Sequence, residues 1–265
     1  MFRVRKKTVH DVRLGPLIFP FDDKVMSPLI EANGVWEINE VNWLLAHVTK
    51  GSSCLNIGAN VGYFTSLMSN LVGPSGKVWA FEPNRILLRF LKTNIKRTAL
   101  KNVKIYPFAA GRSTDYRPLF LNNKNYGDSR MFDPRKTHGG GDYIEHGFDK
   151  VPKSKRVKMV DIDSLINERI DVVLIDTQGY DHEVLRGMTR LIENFKPVIL
   201  TEFVPQWLID QGEDPKQVLR EYQAYGYMLG SSDFETSHDP EPSEILEKIE
   251  ASNTYYTNVT LTPIL

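Results

Sequence analysis

Residues 53–84 read SCLNIGANVGYFTSLMSNLVGPSGKVWAFEPN. A short apolar run (Cys54, Leu55, Ile57) enters a glycine-spaced turn, an amphipathic segment continues from Val61 to Val72, and a second apolar run ends on Glu82. This order predicts a strand, a tight turn, a helix and a second strand. Gly58 and Gly62 flank the turn, where bare backbone must come close to something, since glycine alone reaches positive φ cheaply and adds no bulk. The free N–H groups of the following helix start suit a carboxylate or phosphate. Glu82, at the end of the next strand, is placed to accept hydrogen bonds from a ribose diol.

The glycine spacing narrows the choice of nucleotide. A dinucleotide fold uses G-x-G-x-x-G, whereas Asn56-Ile57-Gly58-Ala59-Asn60-Val61-Gly62 has asparagine where the second glycine would stand. That spacing fits an S-adenosylmethionine (SAM) turn better than a nicotinamide one.

Working outward, Glu37 to Val48 places apolar residues at the spacing of a helix with one buried face, and residues 2–20 alternate as a hairpin ahead of it. We therefore expect an N-terminal hairpin and helix extension over 1–50 and a main domain over 51–265. Beyond Glu82, a helix is expected from Ile86 to Thr98 and strands at Asn102–Tyr106, Arg156–Val160, Asp171–Asp176, Pro197–Phe203, Tyr227–Gly230 and Tyr255–Thr262. Helices are expected over His182–Asn194 and Gln217–Tyr225. Alternation of this kind implies a doubly wound, mostly parallel α/β sheet. From Asn122 to Lys155 periodicity stops and glycines accumulate (Gly139 to Gly141); a loop this long in a compact domain reads as a lid-like insertion, with Tyr126, Ser129, Arg130 and Tyr143 as candidate substrate contacts.

Composition bounds the partners. The chain has 265 residues, with Lys plus Arg and Asp plus Glu at 33 each, so no global basic field argues for nucleic acid. The single cysteine, Cys54, reads as a core residue of a chain in a reducing compartment. The charged N-terminus lacks an apolar signal core and no apolar run reaches the length of a membrane span, so the expectation is a cytoplasmic protein acting on a small molecule or glycan. Oligomeric state is not legible.

Ligands of open α/β sheets bind beyond the carboxyl ends of the strands. The residues there are Gly58 to Gly62, Glu82, Phe108 to Ala110, Asp176 to Asp181 and Glu202. Phe108 and Ala109 are expected to flank an adenine ring. Methyl transfer to oxygen needs an acceptor held in near-attack geometry and a positioned base. Asp176, Asp181, His182 and Glu202 are the candidates; Asp176 either orients the SAM amino group or takes the proton, and His182 titrates near neutrality in its ordinary state. Three carboxylates could also hold a hard cation, but their spacing matches no known metal fingerprint, and none is expected.

With these residues in view, the chain resembles the FkbM family of SAM-dependent methyltransferases. The carrying segments are Leu55 to Phe64 (LNIGANVGYF), Phe81-Glu82-Pro83-Asn84, and Asp176-Thr177-Gln178-Gly179-Tyr180-Asp181 followed by Glu183 to Gly187. The resemblance implies a seven-stranded class I methyltransferase fold, Rossmann-like, with an antiparallel last strand. It also implies O-methylation of sugar or polyketide hydroxyls, and cofactor contacts from Gly58, Asn60, Gly62 and Glu82; Asn56, Tyr63, Pro83 and Asn84 belong to the same matched segments. The family usually has aspartate at Asn56, lysine at Leu174 and glutamate at Gln178. An amide cannot accept a proton, so a base role for that glutamate would pass to Asp176, Asp181 or His182. The leading expectation is O-methylation of a sugar, glycan or glycosylated metabolite. The alternatives are a polyketide or macrocycle acceptor, and a SAM-binding module without turnover.

Overall fold

The computed structural model describes residues 5–97, 101–122, 125–136 and 152–264. Its centre is a seven-stranded sheet built from β3 (Ser53–Ile57), β4 (Lys77–Phe81), β5 (Val103–Tyr106), β9 (Val172–Ile175), β10 (Val198–Phe203), β11 (Tyr227–Ser231) and β12 (Thr257–Pro263), in the order β11-β12-β10-β9-β3-β4-β5. Neighbours from β10 to β5 pair in parallel, while β12 runs antiparallel to both β10 and β11. The central strands β3 and β9 are apolar and covered on both faces, as parallel strands flanked by helices must be.

The order reverses between β3 and β9, the switch point at which open α/β sheets hold their ligands. Helix α3 (Tyr63–Val72) returns the chain from β3 to β4, and α4 (Arg85–Arg97) returns it from β4 to β5. Both bury one face, with Leu67, Met68 and Val72 on α3 and Leu87, Phe90 and Leu91 on α4.

The N-terminal hairpin, β1 (Lys6–Asp11) with β2 (Gly15–Pro20), packs into the same core, contributing Val9, Leu17, Ile18 and Phe19. Buried Asn94 clamps it to the sheet layer. Its Oδ1 accepts from the Ile18 N–H at 2.8 Å, and its Nδ2 donates to the Ile18 and Val61 carbonyls at 3.0 and 2.8 Å. Every polar atom of that side chain is thereby paired, which is what makes its burial tolerable. Helices α1 (Met26–Asn33) and α2 (Ile38–His47) follow.

Two of the expected elements take a different form. The strand at Arg156–Val160 is β8 (Ser154–Val160), and it belongs to a separate three-stranded sheet with β6 (Ala109–Ala110) and β7 (Asp115–Phe120). The helix expected over His182–Asn194 is two short helices, α6 (Asp181–Arg186) and α7 (Thr189–Phe195), following α5 (Ile162–Leu165). Between them, a Cβ on Gly187 would lie 2.0 Å from the Gly111 carbonyl oxygen; the break is where two backbones touch. Helices α8 (Pro205–Asp210), α9 (Pro215–Ala224) and α10 (Pro242–Ala251) complete the fold. Among the described residues, no helix is long and apolar enough to cross a membrane.

Candidate active site

The turn after β3 is shaped by close backbone approach. Gly58 has φ +89°, and a Cβ there would lie 1.7 Å from the Asp176 carbonyl oxygen, so no other residue fits. The N–H groups of Gly58 and Ala59 both donate to the Phe81 carbonyl, at 3.0 and 2.9 Å. Asn60 takes φ +52°, a left-handed conformation that asparagine tolerates better than most residues.

Glu82 ties this turn to the next. Its Oε2 accepts from the Asn60 N–H at 2.8 Å and its Oε1 from the Asn84 N–H at 2.7 Å. Each carboxylate oxygen retains acceptor capacity. Burial pushes the Glu82 carboxyl up to about 8, against the two amide hydrogen bonds that lower it.

A cavity of about 560 Å³, open to solvent, lies over these strand ends. The β3 turn contributes Gly58 and Asn60, the end of β4 Glu82, Pro83 and Asn84, the approach to β6 Phe108 and Ala109, and the end of β9 Asp176, Thr177 and Gln178. Of the expected lid, Tyr126, Gly127, Ser129 and Met131 line it as well. The Tyr126 hydroxyl donates to Asp22 at 2.9 Å, Asn84 Nδ2 lies 3.4 Å from Ser129 Oγ, and a Cβ on Gly127 would meet Asn60 Nδ2 at 2.8 Å. Arg130 is buried, bonded to Asp128 at 2.6 Å and held 3.9 Å from the Trp207 ring centroid. Gly139 to Gly141 and Tyr143 lie outside the described residues.

Three expected cofactor residues stand behind the turn and do not line the cavity. Asn56 is buried and donates to Thr65 Oγ1 at 2.8 Å. A Cβ on Gly62 would meet the Leu91 side chain at 2.7 Å. The Tyr63 hydroxyl donates to Asp11 at 2.8 Å and accepts the Trp36 N–H at 3.2 Å, joining the helix start to the N-terminal extension. Thr177, Gly127, Met131, Leu87 and Leu119 line the cavity without having been singled out. Thr177 alone was signalled by its position at a strand end.

The candidate bases separate into two groups. Asp176 lines the cavity, and its Oδ1 accepts from Gln178 Nε2 at 2.7 Å; the same amide nitrogen lies 3.5 Å from Glu202 Oε2. Gln178 is held at φ +56° to do this. Burial raises the Asp176 carboxyl, and the Gln178 hydrogen bond works against that rise. Glu202 is pushed well above its ordinary value, by burial first and then by the charges of Asp176, Asp181 and Glu37. Glu37, at the start of α2, brings a carboxyl from the N-terminal extension into the same group.

Asp181 and His182 belong to the second group. The Asp181 oxygens accept the Thr177 and Gly179 N–H groups, both at 3.2 Å, so this carboxylate organises its own turn. Burial and Asp176 raise it to about 7. His182 is 3% exposed rather than at the surface, and burial lowers it to about 4. With Asp181 and Glu202 it lines a smaller cavity of about 190 Å³. Ligand atoms of His182, Glu183 and Glu213 lie within 4.8 Å of one another. However, Arg186 already bonds both glutamates at 2.9 Å, so that cluster holds its own counter-cation.

A sequence profile of the methyltransferase FkbM domain matches residues 56–229. The protein-L-isoaspartate O-methyltransferases of Methanosarcina mazei and Methanothrix thermoacetophila are 36% and 33% identical to this chain over 61 residues. That stretch is 23% of this chain and 25% and 29% of those proteins, so the chain spans little more than a quarter of the curated relatives it matches. Among solved structures, the methyltransferase FkbM from Methylobacillus flagellatus has a TM-score of 0.46 at 15% identity, over 80% of this chain and 44% of that one. A suspected rRNA methylase from Clostridium thermocellum has a TM-score of 0.52 at 11% identity, over 85% of this chain and 94% of that one. At 11% identity the likeness to the Clostridium structure speaks for the fold alone.

Proposed function

The chain belongs to the family of methyltransferases with an FkbM domain and takes S-adenosylmethionine as its cofactor, and from that premise we propose that it methylates a hydroxyl of a sugar, glycan or glycosylated metabolite. The cofactor supplies an electrophilic methyl group when bound. Gly58 and Asn60 give the turn that receives its amino-acid end, Glu82 accepts the ribose hydroxyls, and Phe108 and Ala109 flank the adenine.

The observation that carries the oxygen-acceptor reading is the Asp176-Gln178-Glu202 wall beside this turn. A hydroxyl loses its proton as its oxygen bonds the methyl carbon and the carbon–sulfur bond breaks, so a base within hydrogen-bond reach is required. Asp176 is that base. The Gln178 amide stabilises its charged form at 2.7 Å but reaches Glu202 only at 3.5 Å, so of the two carboxyls Asp176 is the one whose charged form this hydrogen bond favours. Gln178 in place of glutamate thus positions the base instead of acting as one.

A sugar is favoured by what adjoins the wall. Trp207 packs against the Gly179 turn, where an added Cβ would meet its ring at 2.8 Å, and Tyr255 lies 6.3 Å from that ring. Trp207 gives a face to Arg130, but Tyr255 is 60% exposed and close enough to Glu202 to feel its charge, so its flat ring offers an apolar face for sugar C–H groups beside an acceptor for hydroxyls.

Incubation of a panel of glycosides with the protein and SAM should yield products heavier by one CH₂, about 14 Da. Asp176→Asn should lower that rate by about 100-fold or more while SAH binding persists. No mass gain across a broad hydroxyl panel contradicts the proposal.

A further inference from the structure

Strand β8 and its partner β7 form a ribbon whose outer part is exposed. The face of the ribbon that bears Tyr116 carries Arg156 and Lys158 and no carboxylate, while Lys155, Arg117 and Asp115 lie on the opposite face, in register with Leu119, Val157 and Met159. Asp115 pairs with Arg117 at 3.4 Å. The whole chain is neutral, so this is a local field and not an echo of overall composition.

The cations are interleaved with aromatic rings. Arg156 lies 5.2 Å from the centroid of Tyr116, Lys158 4.8 Å from Phe108, and Lys104 on β5 5.1 Å from Tyr106. Tyr106 and Phe108 are 6.3 Å apart, and Tyr116 stands opposite Lys158 in the β7–β8 register, so the series is continuous. Its far end is an open cleft of about 570 Å³ lined by Lys77, Lys101, Lys104 and Trp79; the acid there, Glu168, is bonded to Lys77. Its near end is the cofactor cavity itself, because Phe108, over which Lys158 lies, lines that cavity.

We propose that the β7–β8 ribbon and the β5 edge form a docking strip for an anionic glycan that carries the acceptor hydroxyl. This rests on the sugar O-methyltransferase reading and narrows its substrate class to glycans bearing carboxylate, sulfate or phosphate groups. The paired length of six residues gives the strip a reach of about 20 Å, enough for several sugar units leading into the cavity. Single-stranded nucleic acid is the other polyanion such a surface suggests, but base stacking needs open ring faces. Here a cation already lies over each of the rings Tyr106, Phe108 and Tyr116, and what the strip offers is charge.

The test is fluorescence anisotropy with a labelled heparin hexasaccharide, a neutral dextran oligosaccharide and a uridine oligonucleotide, across a salt series. The wild-type protein should bind the heparin oligosaccharide, more weakly as salt rises, and should ignore dextran. The double variant Lys104→Glu/Arg156→Glu, both on exposed positions of the strip outside the cavity, should lose about tenfold or more in affinity while keeping its SAH-induced thermal shift. No heparin binding, unchanged binding by the variant, or equal or tighter binding of the uridine oligonucleotide overturns the proposal. Absence of a thermal shift with SAH in the wild-type protein is a different result, and counts against the cofactor reading on which the strip's role depends.

Discussion

The Glu82 carboxyl should make cofactor affinity depend on pH in a range where free carboxylates do not titrate. Burial holds this group at about 8 in the unliganded protein, so near pH 6 only about one molecule in a hundred carries the ionised form. A ribose diol donating two hydrogen bonds requires the ionised carboxylate, since both oxygens already accept backbone N–H groups. Binding at pH 6 must therefore expel a proton. Affinity for SAH should rise by nearly tenfold from pH 6 to 7 and level off above 8, approaching 100-fold in all, or about 2.7 kcal/mol. Isothermal titration calorimetry in buffers of different ionisation enthalpy reads both the affinity and the proton released. Glu82→Gln removes the titration, so its affinity should be weak and flat with pH. Stability follows the same shift with the expected sign. The folded chain keeps a proton that the unfolded chain has lost, so unliganded stability declines as pH climbs from the ordinary carboxylate range towards 8, and SAH should flatten the decline. Equal SAH affinity at pH 6 and 8.5 in the wild-type protein, or a wild-type pH dependence in Glu82→Gln, refutes the reasoning.

Other perturbations have distinct signatures. Gly58→Ala places a methyl against the Asp176 carbonyl at positive φ; urea unfolding should show a loss of roughly 2–5 kcal/mol and no SAH shift, and normal SAH binding would contradict the geometry. Tyr63→Phe removes the donor to Asp11 and leaves the Trp36 N–H without its acceptor, so stability should fall by about 1–3 kcal/mol with SAH affinity unchanged; a lost affinity would place this residue at the cofactor instead. Gln178→Glu exchanges a donor for a third carboxylate beside Asp176 and Glu202. The folded variant then gains protons relative to the unfolded chain, so its stability should drop more steeply than wild type as pH rises above the ordinary carboxylate range in thermal melts, and parallel curves would argue against a shared carboxylate cluster.

The fold was legible where a local pattern had one structural meaning. The apolar run to Ile57, the close approach at Gly58 and the apolar run ending on Glu82 are what a parallel strand, turn, helix and strand require, and the seven-stranded sheet with an antiparallel last strand is what the family resemblance implies. What escaped depends on contacts far apart in sequence. Arg156–Val160 has the pattern of a strand, but nothing in it says that its partners are Ala109–Ala110 and Asp115–Phe120 rather than the main sheet. The helix break at Gly187 comes from a chain 76 residues earlier. Tyr63 sits inside the cofactor motif, yet its hydroxyl serves Asp11. His182 has the ordinary pKa of a neutral-pH base in sequence and a depressed one in its buried setting. Side-chain direction and burial are set by packing, which periodicity does not encode.

Thermal unfolding of the purified protein with and without SAH, with NADH as control, tests most directly whether the turn at Gly58 is a SAM site. A ligand at about 100 times its dissociation constant adds roughly 2.7 kcal/mol, and in a chain of this size each kcal/mol moves the midpoint by about 2–4 °C. The account predicts a rise of several degrees with SAH and none with NADH; a rise with NADH and none with SAH would contradict it.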